Sequence, residues 1–246
     1  MGSTGIHIED PPLLLKLLRS LWDWAKPIGQ ALILWFLITT FLVEPFRVWP
    51  TGSMKNTLLV NDFLFVNKFL YGAELPLAAA RLPAVREPKH GDIVVVRSVE
   101  NPSLRLVKRV MGLPGDTVAM QAGVLLRNGL RIAEPYATAP DLSQSGDDVT
   151  RAKMRSWQLH YYVGSDAVHY CPNLHDWGPL VVPADSLFLL GDNRDSSYDG
   201  RYYGFVPRAN LLGHPFVVYF SYDNDSWRSL PFVTAVRWHR LFTQPQ

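Results

Sequence analysis

Residues 28–43 read IGQALILWFLITTFLV, sixteen consecutive positions without a charge. No other stretch restricts the fold as much, because such a run needs a protein interior or a bilayer around it. Sixteen residues is at the short end of the ~17–25 that span a membrane as a helix. Charges bracket it, Lys26 before and Glu44 after, and Pro45 with the polar stretch around Thr51 limits its extension. A buried core helix, a cleavable secretory signal and an uncleaved anchor all fit the composition. The residues around Val43-Glu44-Pro45 are not the small ones a cleavage site needs, and Trp35 and Phe36 suit a lipid-facing surface, so the run is read as an anchor. Before it, Leu14, Leu17, Leu18 and Leu21 recur at helical spacing, mostly opposite Lys16, Arg19, Asp23 and Lys26. This predicts an amphipathic helix on the membrane surface, with Pro27 turning the chain into the bilayer. Lys16, Arg19 and Lys26 precede the span while Arg47 and Lys55 follow it, an excess that favours a cytoplasmic N-terminus. The expected division is an amphipathic segment at 1–27, an anchor at 28–45 and a β-rich domain at 46–246.

The remainder is long enough to bury a sizeable core: the chain has 246 residues and is 48% hydrophobic. From Asp62 onward its apolar runs are short, rich in Val, Ile, Phe and Tyr, and separated by Gly and Pro. Residues 63–66, 93–96, 104–111, 124–126, 187–190 and 215–220 have this character and read as strands of a mainly β domain. Residues 75–82 alone look locally helical, and 227–242 suggest a short helix near the bilayer. Between the strands, residues 134–180 are dominated by Pro, Asp, Ser and Gly and read as an inserted, loop-rich lobe. A net charge of +2 without a long basic run argues against nucleic acid as a partner. A single cysteine, Cys171, excludes an internal disulfide and a cysteine cluster for zinc. His160, His169 and His175 share one polar stretch without an H-E-x-x-H pattern, so no metal or cofactor is expected.

The sharpest local anomaly lies in SLRLVKRVMGLPGDTV. With period two, Leu104, Leu106, Lys108 and Val110 share one face, while Arg105, Val107, Arg109 and Met111 share another that can be solvated. The first face is apolar except for Lys108. Such a lysine either snorkels at a sheet edge or is desolvated for a purpose. Near its ordinary pKa of ~10.4 only about one lysine in a thousand is neutral at pH 7.5, and burial lowers that pKa by up to ~5 units. A desolvated Lys108 would therefore be a base able to take a proton from a serine without a histidine. Ser53, in WPTGSMKNTLLVNDFLFV, is the best candidate. Gly52 leaves room for a substrate backbone, and the Ser53 N–H with the Thr51 hydroxyl can hold an oxyanion. A simple capped turn fits the same residues.

A second polar cluster is GDNRDSSYDGRYYGFVP at 191–207, where Asp192, Arg194, Asp195, Asp199 and Arg201 form a network at a strand end. Asp195, Ser197, Asp199 and Gly200 match positions of a calcium loop, but Val206 stands where a bidentate Glu is required. The blocks Pro50-Thr51-Gly52-Ser53-Met54, Gly91-Asp92-Ile93-Val94-Val95, Lys108-Arg109 with Gly112-Leu113-Pro114-Gly115-Asp116, and Gly191-Asp192-Asn193-Arg194-Asp195 occur in this order. Together with the N-terminal anchor, they resemble the type I signal peptidase (leader peptidase) family.

The resemblance implies a mainly antiparallel β endopeptidase with one N-terminal transmembrane helix and a serine–lysine dyad. It would be anchored in the bacterial cytoplasmic membrane with its catalytic domain on the outer, periplasmic face. Its partners would be the signal peptides of exported preproteins and membrane lipid, with the translocation channel a further candidate. Ser53 would be the nucleophile and Lys108 the general base, with Thr51 and the Ser53 N–H as oxyanion hole. Ser197 would orient the amine, supported by Asp199, Arg201, Asp192 and Arg194. Shallow pockets would select alanine at the first and third residues before the cut, and Met54, Ile93 and Leu106 are candidates to line them. Two departures stand out: Thr51 where the family usually has serine, and Asn56 where it often has proline. Other readings are a specialised relative acting on one client, a self-cleaving repressor, against which the anchor argues, and an anchored β domain that binds exported proteins without cutting them.

Overall fold

The computed structural model describes residues 13–75, 80–223 and 229–245. Its first element, α1 (Leu13–Leu37), continues as a π-helical turn at Ile38–Leu42. Pro27 lies inside α1 and does not break it. One proline removes a single main-chain hydrogen bond, and the Leu, Ala and Trp around it sustain the turns on either side. The amphipathic and apolar segments are thus one helix. From Ser20 to Leu42 it is long and apolar enough to cross a membrane, and none of it is buried against the rest of the protein. The helix ends before Val43, which opens β1 (Val43–Arg47). Pro45 has no N–H to give and sits in an edge strand, where that donor is not missed.

The other strands are β2 (Asp62–Asn67), β3 (Ile93–Arg97), β4 (Arg105–Gly112), β5 (Thr117–Gln121), β6 (Val124–Arg127), β7 (Leu130–Arg131), β8 (Trp177–Val181), β9 (Ser186–Leu190), β10 (Val206–Pro207) and β11 (Leu211–Ser221). All pairings between them are antiparallel. They form a seven-stranded sheet ordered β1-β2-β11-β3-β4-β9-β10 and a four-stranded sheet ordered β7-β6-β5-β8. The Gly112-Leu113-Pro114-Gly115-Asp116 turn joins the two. The Asp116 carboxylate accepts from the Leu113 N–H at 2.8 Å, and Gly115 takes φ +86°, a left-handed value that suits glycine.

Residues 134–180 are more regular than expected. They contain α2 (Asp148–Gln158), capped by the Asp147 side chain accepting from the Thr150 N–H, and they reach into β8. The helix is hard to see in DVTRAKMRSWQ because only Met154 and Gln158 of it are buried. Half of the expected helix at 75–82 falls on residues outside those described, and Arg81, within it, forms a β-bridge with Glu74 just before it. Of the expected C-terminal helix, 227–228 also lie outside the described residues. The rest holds the single turn Pro231–Thr234 and a 3-10 turn at Trp238–Arg240.

Both sides of the large sheet are covered, so β4 is buried on both faces from Val107 to Gly112. Val107 packs with Val48, Leu64 and Ile93, Val110 with Val94 and Leu189, and Met111 with Val118 and Phe188. The second face of β4 is therefore not solvated beyond Arg105. β4 is an interior strand, between β3 and β9, and no edge is available to it.

Candidate active site

Residues 51–57 leave β1 as a tight helical turn. Lys55 N–H donates to Gly52 O at 3.1 Å, and the Thr57 and Leu58 N–H groups donate to Met54 O at 2.8 and 2.6 Å. The turn is bolted down by its own apolar residues: Met54 and Leu58 are buried in the core between β2, β3 and β11. Each such side chain contributes about 1.5–3 kcal/mol by leaving water. Ser53, between the buried Met54 and the exposed Thr51, is 6% exposed and opens into a cleft.

The polar cluster docks on this turn from the far end of β9. Asn193 N–H donates to Ser53 O at 2.9 Å, and Asn193 Nδ2 donates to Gly52 O at 3.0 Å. A Cβ on Gly191 would lie 2.1 Å from Ser197 Oγ and 2.6 Å from Ser53 O, so only glycine lets these three residues meet.

Three arginine–carboxylate pairs, the first two fully buried, hold the cluster in place. Arg109 grips Asp192 with two bonds, Nε to Oδ1 at 2.8 Å and Nη2 to Oδ2 at 2.6 Å, and the Thr57 hydroxyl donates to the same Oδ2 at 2.5 Å. Arg201 grips Asp199 through Nε–Oδ1 at 2.9 Å and Nη2–Oδ2 at 3.0 Å, and Gly191 N–H donates to Asp199 Oδ2 at 3.1 Å. Arg194 pairs with Glu134 and donates to Gly191 O at 3.1 Å. The opposite charge of Arg201 and its hydrogen bonds keep Asp199 ionised below the usual carboxylate range despite full burial.

Lys108 lies on β4 opposite Val94 and is 2% exposed. It does not snorkel to water. Burial lowers its pKa from 10.5 to about 8, Asp199 and Asp192 pull it back up, and Arg201 pushes it down. Ser53 and Lys108 line the same cleft, with Thr51, Met54, Leu106, Phe46, Val48, Trp49, Arg105 and Val107. The space is narrow, about 30 Å³.

Thr51, Met54 and Leu106 thus stand where substrate would pass. Ile93 does not line the cleft: it is buried on β3, in the core beneath it, because both faces of that strand are covered. Ser197 Oγ is buried without a hydrogen-bond partner, so no bond to Lys108 is made in this structure. Phe46, Val48 and Trp49, and the Arg109–Thr57–Asp192 knot, are missing from the sequence reading. Arg109 was visible beside Lys108, but its partner lies 83 positions away, and only the fold brings them together.

The comparisons with known proteins point to one family. Residues 21–220 match the model of one family, described as signal peptidase, peptidase S26. The chain belongs to the signal peptidase family. It is accordingly a serine endopeptidase, and the Ser53 cleft is its candidate active site. Among its relatives, the signal peptidase I of Pseudomonas aeruginosa is 34% identical over 244 residues, 94% of this chain and 84% of that one. The signal peptidase I of Rickettsia akari is 33% identical over 246 residues, 90% of each chain. A solved signal peptidase I from Enterococcus faecalis, 28% identical, covers 53% of this chain and 98% of its own, with a TM-score of 0.35. The match of the peptidase to the family model includes the cleft, both sheets and most of α1, and ends before the C-terminal segment.

Proposed function

We propose that the enzyme removes signal peptides from exported preproteins after Ala-x-Ala-type sites, with Ser53 as nucleophile and Lys108 as general base. The observation that carries this reading is a buried lysine with a pKa of about 8 in the same cleft as a nearly buried serine. Roughly one molecule in ten then has the neutral amine at pH 7, against fewer than one in a thousand for an ordinary lysine.

Ser53 Oγ attacks the scissile carbonyl carbon while Lys108 takes the hydroxyl proton. The oxyanion that forms is held by the Ser53 N–H and the Thr51 hydroxyl. As the C–N bond breaks, the Lys108 ammonium returns its proton to the leaving amine, the new N-terminus of the mature protein. A water then loses a proton to Lys108 and attacks the acyl-enzyme, freeing the signal peptide with a carboxylate end and restoring Ser53. Asp199 and Arg201 set the charge around the amine, Ser197 would turn its free hydroxyl to the amine once substrate is bound, and the Arg109–Asp192 and Arg194–Glu134 pairs fix the cluster. A space of about 30 Å³ among Phe46, Val48, Leu106 and Met54 suits methyl-sized side chains, which supports an alanine preference.

The exposed helix α1 anchors the domain in the bacterial cytoplasmic membrane with the N-terminus inside and the cleft on the outer face. The few residues between Leu42 and Ser53 keep the nucleophile at the bilayer surface, where a signal helix held in the same bilayer presents its cleavage site. The test uses full-length protein in detergent and lipid, with Ser53→Ala and Lys108→Ala beside it, and a precursor carrying an Ala-x-Ala site. Mass spectrometry should find cleavage after the final alanine by wild type, with each variant slower by on the order of 10⁴ or more. Equal cleavage by Lys108→Ala would remove the lysine from the mechanism. An intact precursor with labelling of Ser53 by an acylating probe would point to a specialised client.

A further inference from the structure

An endopeptidase substrate continues beyond its cut, and the narrow cleft accounts for one side of it only. At the C-terminal end of the nucleophile turn lies a second opening, a broad groove of about 600 Å³ lined by Asn56, Thr57, Pro135, Tyr136 and Gln244. Asn56 and Thr57 belong to the same helical turn as Ser53. Asn56 Nδ2 donates to Tyr136 O at 3.0 Å, which ties this wall of the second lobe to that turn. The Tyr136 ring lies 3.7 Å from the guanidinium of Arg109, the neighbour of Lys108 on β4. Gln244, exposed, brings in the C-terminal segment, which is held to β11 by Thr243 O accepting from the Val218 N–H at 2.9 Å.

Resting on the peptidase reading above, we infer that this groove binds the residues that follow the scissile bond, the first residues of the mature protein. Its continuity with the Ser53 turn identifies the occupant. Its chemistry states what it accepts. The five lining residues are uncharged, four of them carry amide or hydroxyl groups, and the space is open where the cleft before the cut is narrow. Selection is therefore strict before the cut and permissive after it, with the groove adding affinity through the extended backbone of the mature segment rather than through side-chain fit.

The test is a pair of peptides sharing one Ala-x-Ala site, one ending a single residue after the cut and one extending six residues beyond it. Wild type should show a kcat/KM for the long peptide at least about tenfold above that for the short one. In Asn56→Ala and Gln244→Ala this ratio should fall toward one, whatever the absolute rates. Gln244→Glu guards against loss of folding by asking for a gain. At low salt it should favour long peptides with lysine after the cut over those with glutamate by about two- to fivefold, the reach of one exposed charge pair. A wild-type ratio near one, or an unchanged ratio and charge preference in the variants, overturns the inference. Wild type cutting neither peptide overturns the Ala-x-Ala reading on which this inference rests, and the inference with it.

Discussion

In α1, Leu21, Trp24 and Trp35 are 64–71% exposed, whereas Lys108, Asp199 and Arg201 are at most 2% exposed. Proteins ordinarily do the reverse on both counts. The helix displays apolar surface that the domain offers nothing to cover, and the site encloses charges that the domain must neutralise from within. The difference shows what completes each region. The site is finished by the chain itself, through arginine forks reaching between β4, the Gly191 loop and α3 (Gly200–Tyr203). The helix is finished by something outside the chain, and lipid is the medium that suits it. The site should therefore respond strongly to single substitutions, and the helix should leave folding untouched while governing access to membrane-held substrate.

The largest effect should come from Arg201→Met. It leaves Asp199 charged, fully buried and without its bidentate partner, which costs about 3–5 kcal/mol. Urea unfolding of the detergent-solubilised protein measures it. Because Arg201 also pushes the Lys108 pKa down, its loss should move the pH midpoint of activity upward. A loss below about 1 kcal/mol would mean that the site is less closed to water than its burial implies.

Lys108→Met should work in the opposite sense, abolishing activity while stabilising the fold at neutral pH. The folded pKa of about 8 lies below the ordinary 10.5, so the unfolded chain binds the extra proton between these values. Stability is reduced in full below pH 8 and recovers as pH rises from 8 to 10.5, by roughly 3 kcal/mol in all. Removing the lysine should supply that difference at pH 7 and erase the recovery. In wild type, kcat/KM should fall about tenfold per pH unit below 8, and a profile flat down to pH 5 would argue against a lysine base.

This contrast also explains what the sequence disclosed. Lys108 could be singled out because it breaks an apolar period-two face, and residues 28–43 because charge is absent from them. Six of the strands, β2, β3, β4, β6, β9 and β11, were legible for the same reason, since Val, Ile and Phe runs between turns need a core. The partners were not legible. Arg109 looked like a solvated neighbour until β4 proved to be an interior strand, and Gly191 gave no sign that Ser197 Oγ and Ser53 O would close on it. Ile93 was misplaced because a strand apolar on both faces does not say which face meets the cleft. α2 escaped because a mostly polar surface helix buries too little to leave a pattern.

A smaller effect on folding, with a larger one on access, should follow from a chain that starts at Val43. None of Ser20–Leu42 is buried against the domain, so the unfolding free energy should change by less than about 1 kcal/mol. Cleavage of a short soluble peptide should stay within about twofold. Cleavage of a precursor reconstituted in vesicles should drop by ~10²-fold or more as the shared anchoring is lost. Equal losses on both substrates would show that α1 supports the site itself.

The two regions meet at Glu44, on β1 just after the helix. Its carboxylate pairs with Arg105, at the mouth of the cleft, and with Lys68 at 3.4 Å. These pairs tie β1, the strand that follows the helix, to Arg105 of β4 and to Lys68, but their side chains are 20–47% exposed, and water screens such pairs. Glu44→Gln should therefore cost no more than about 1 kcal/mol in urea unfolding, and less as salt is raised. This sets it apart from Arg201→Met, although both break an arginine–carboxylate contact. A salt-independent loss above about 2 kcal/mol would place Glu44 with the enclosed charges of the site. The boundary between the region completed by lipid and the region completed by the chain would then lie within α1 rather than at Val43.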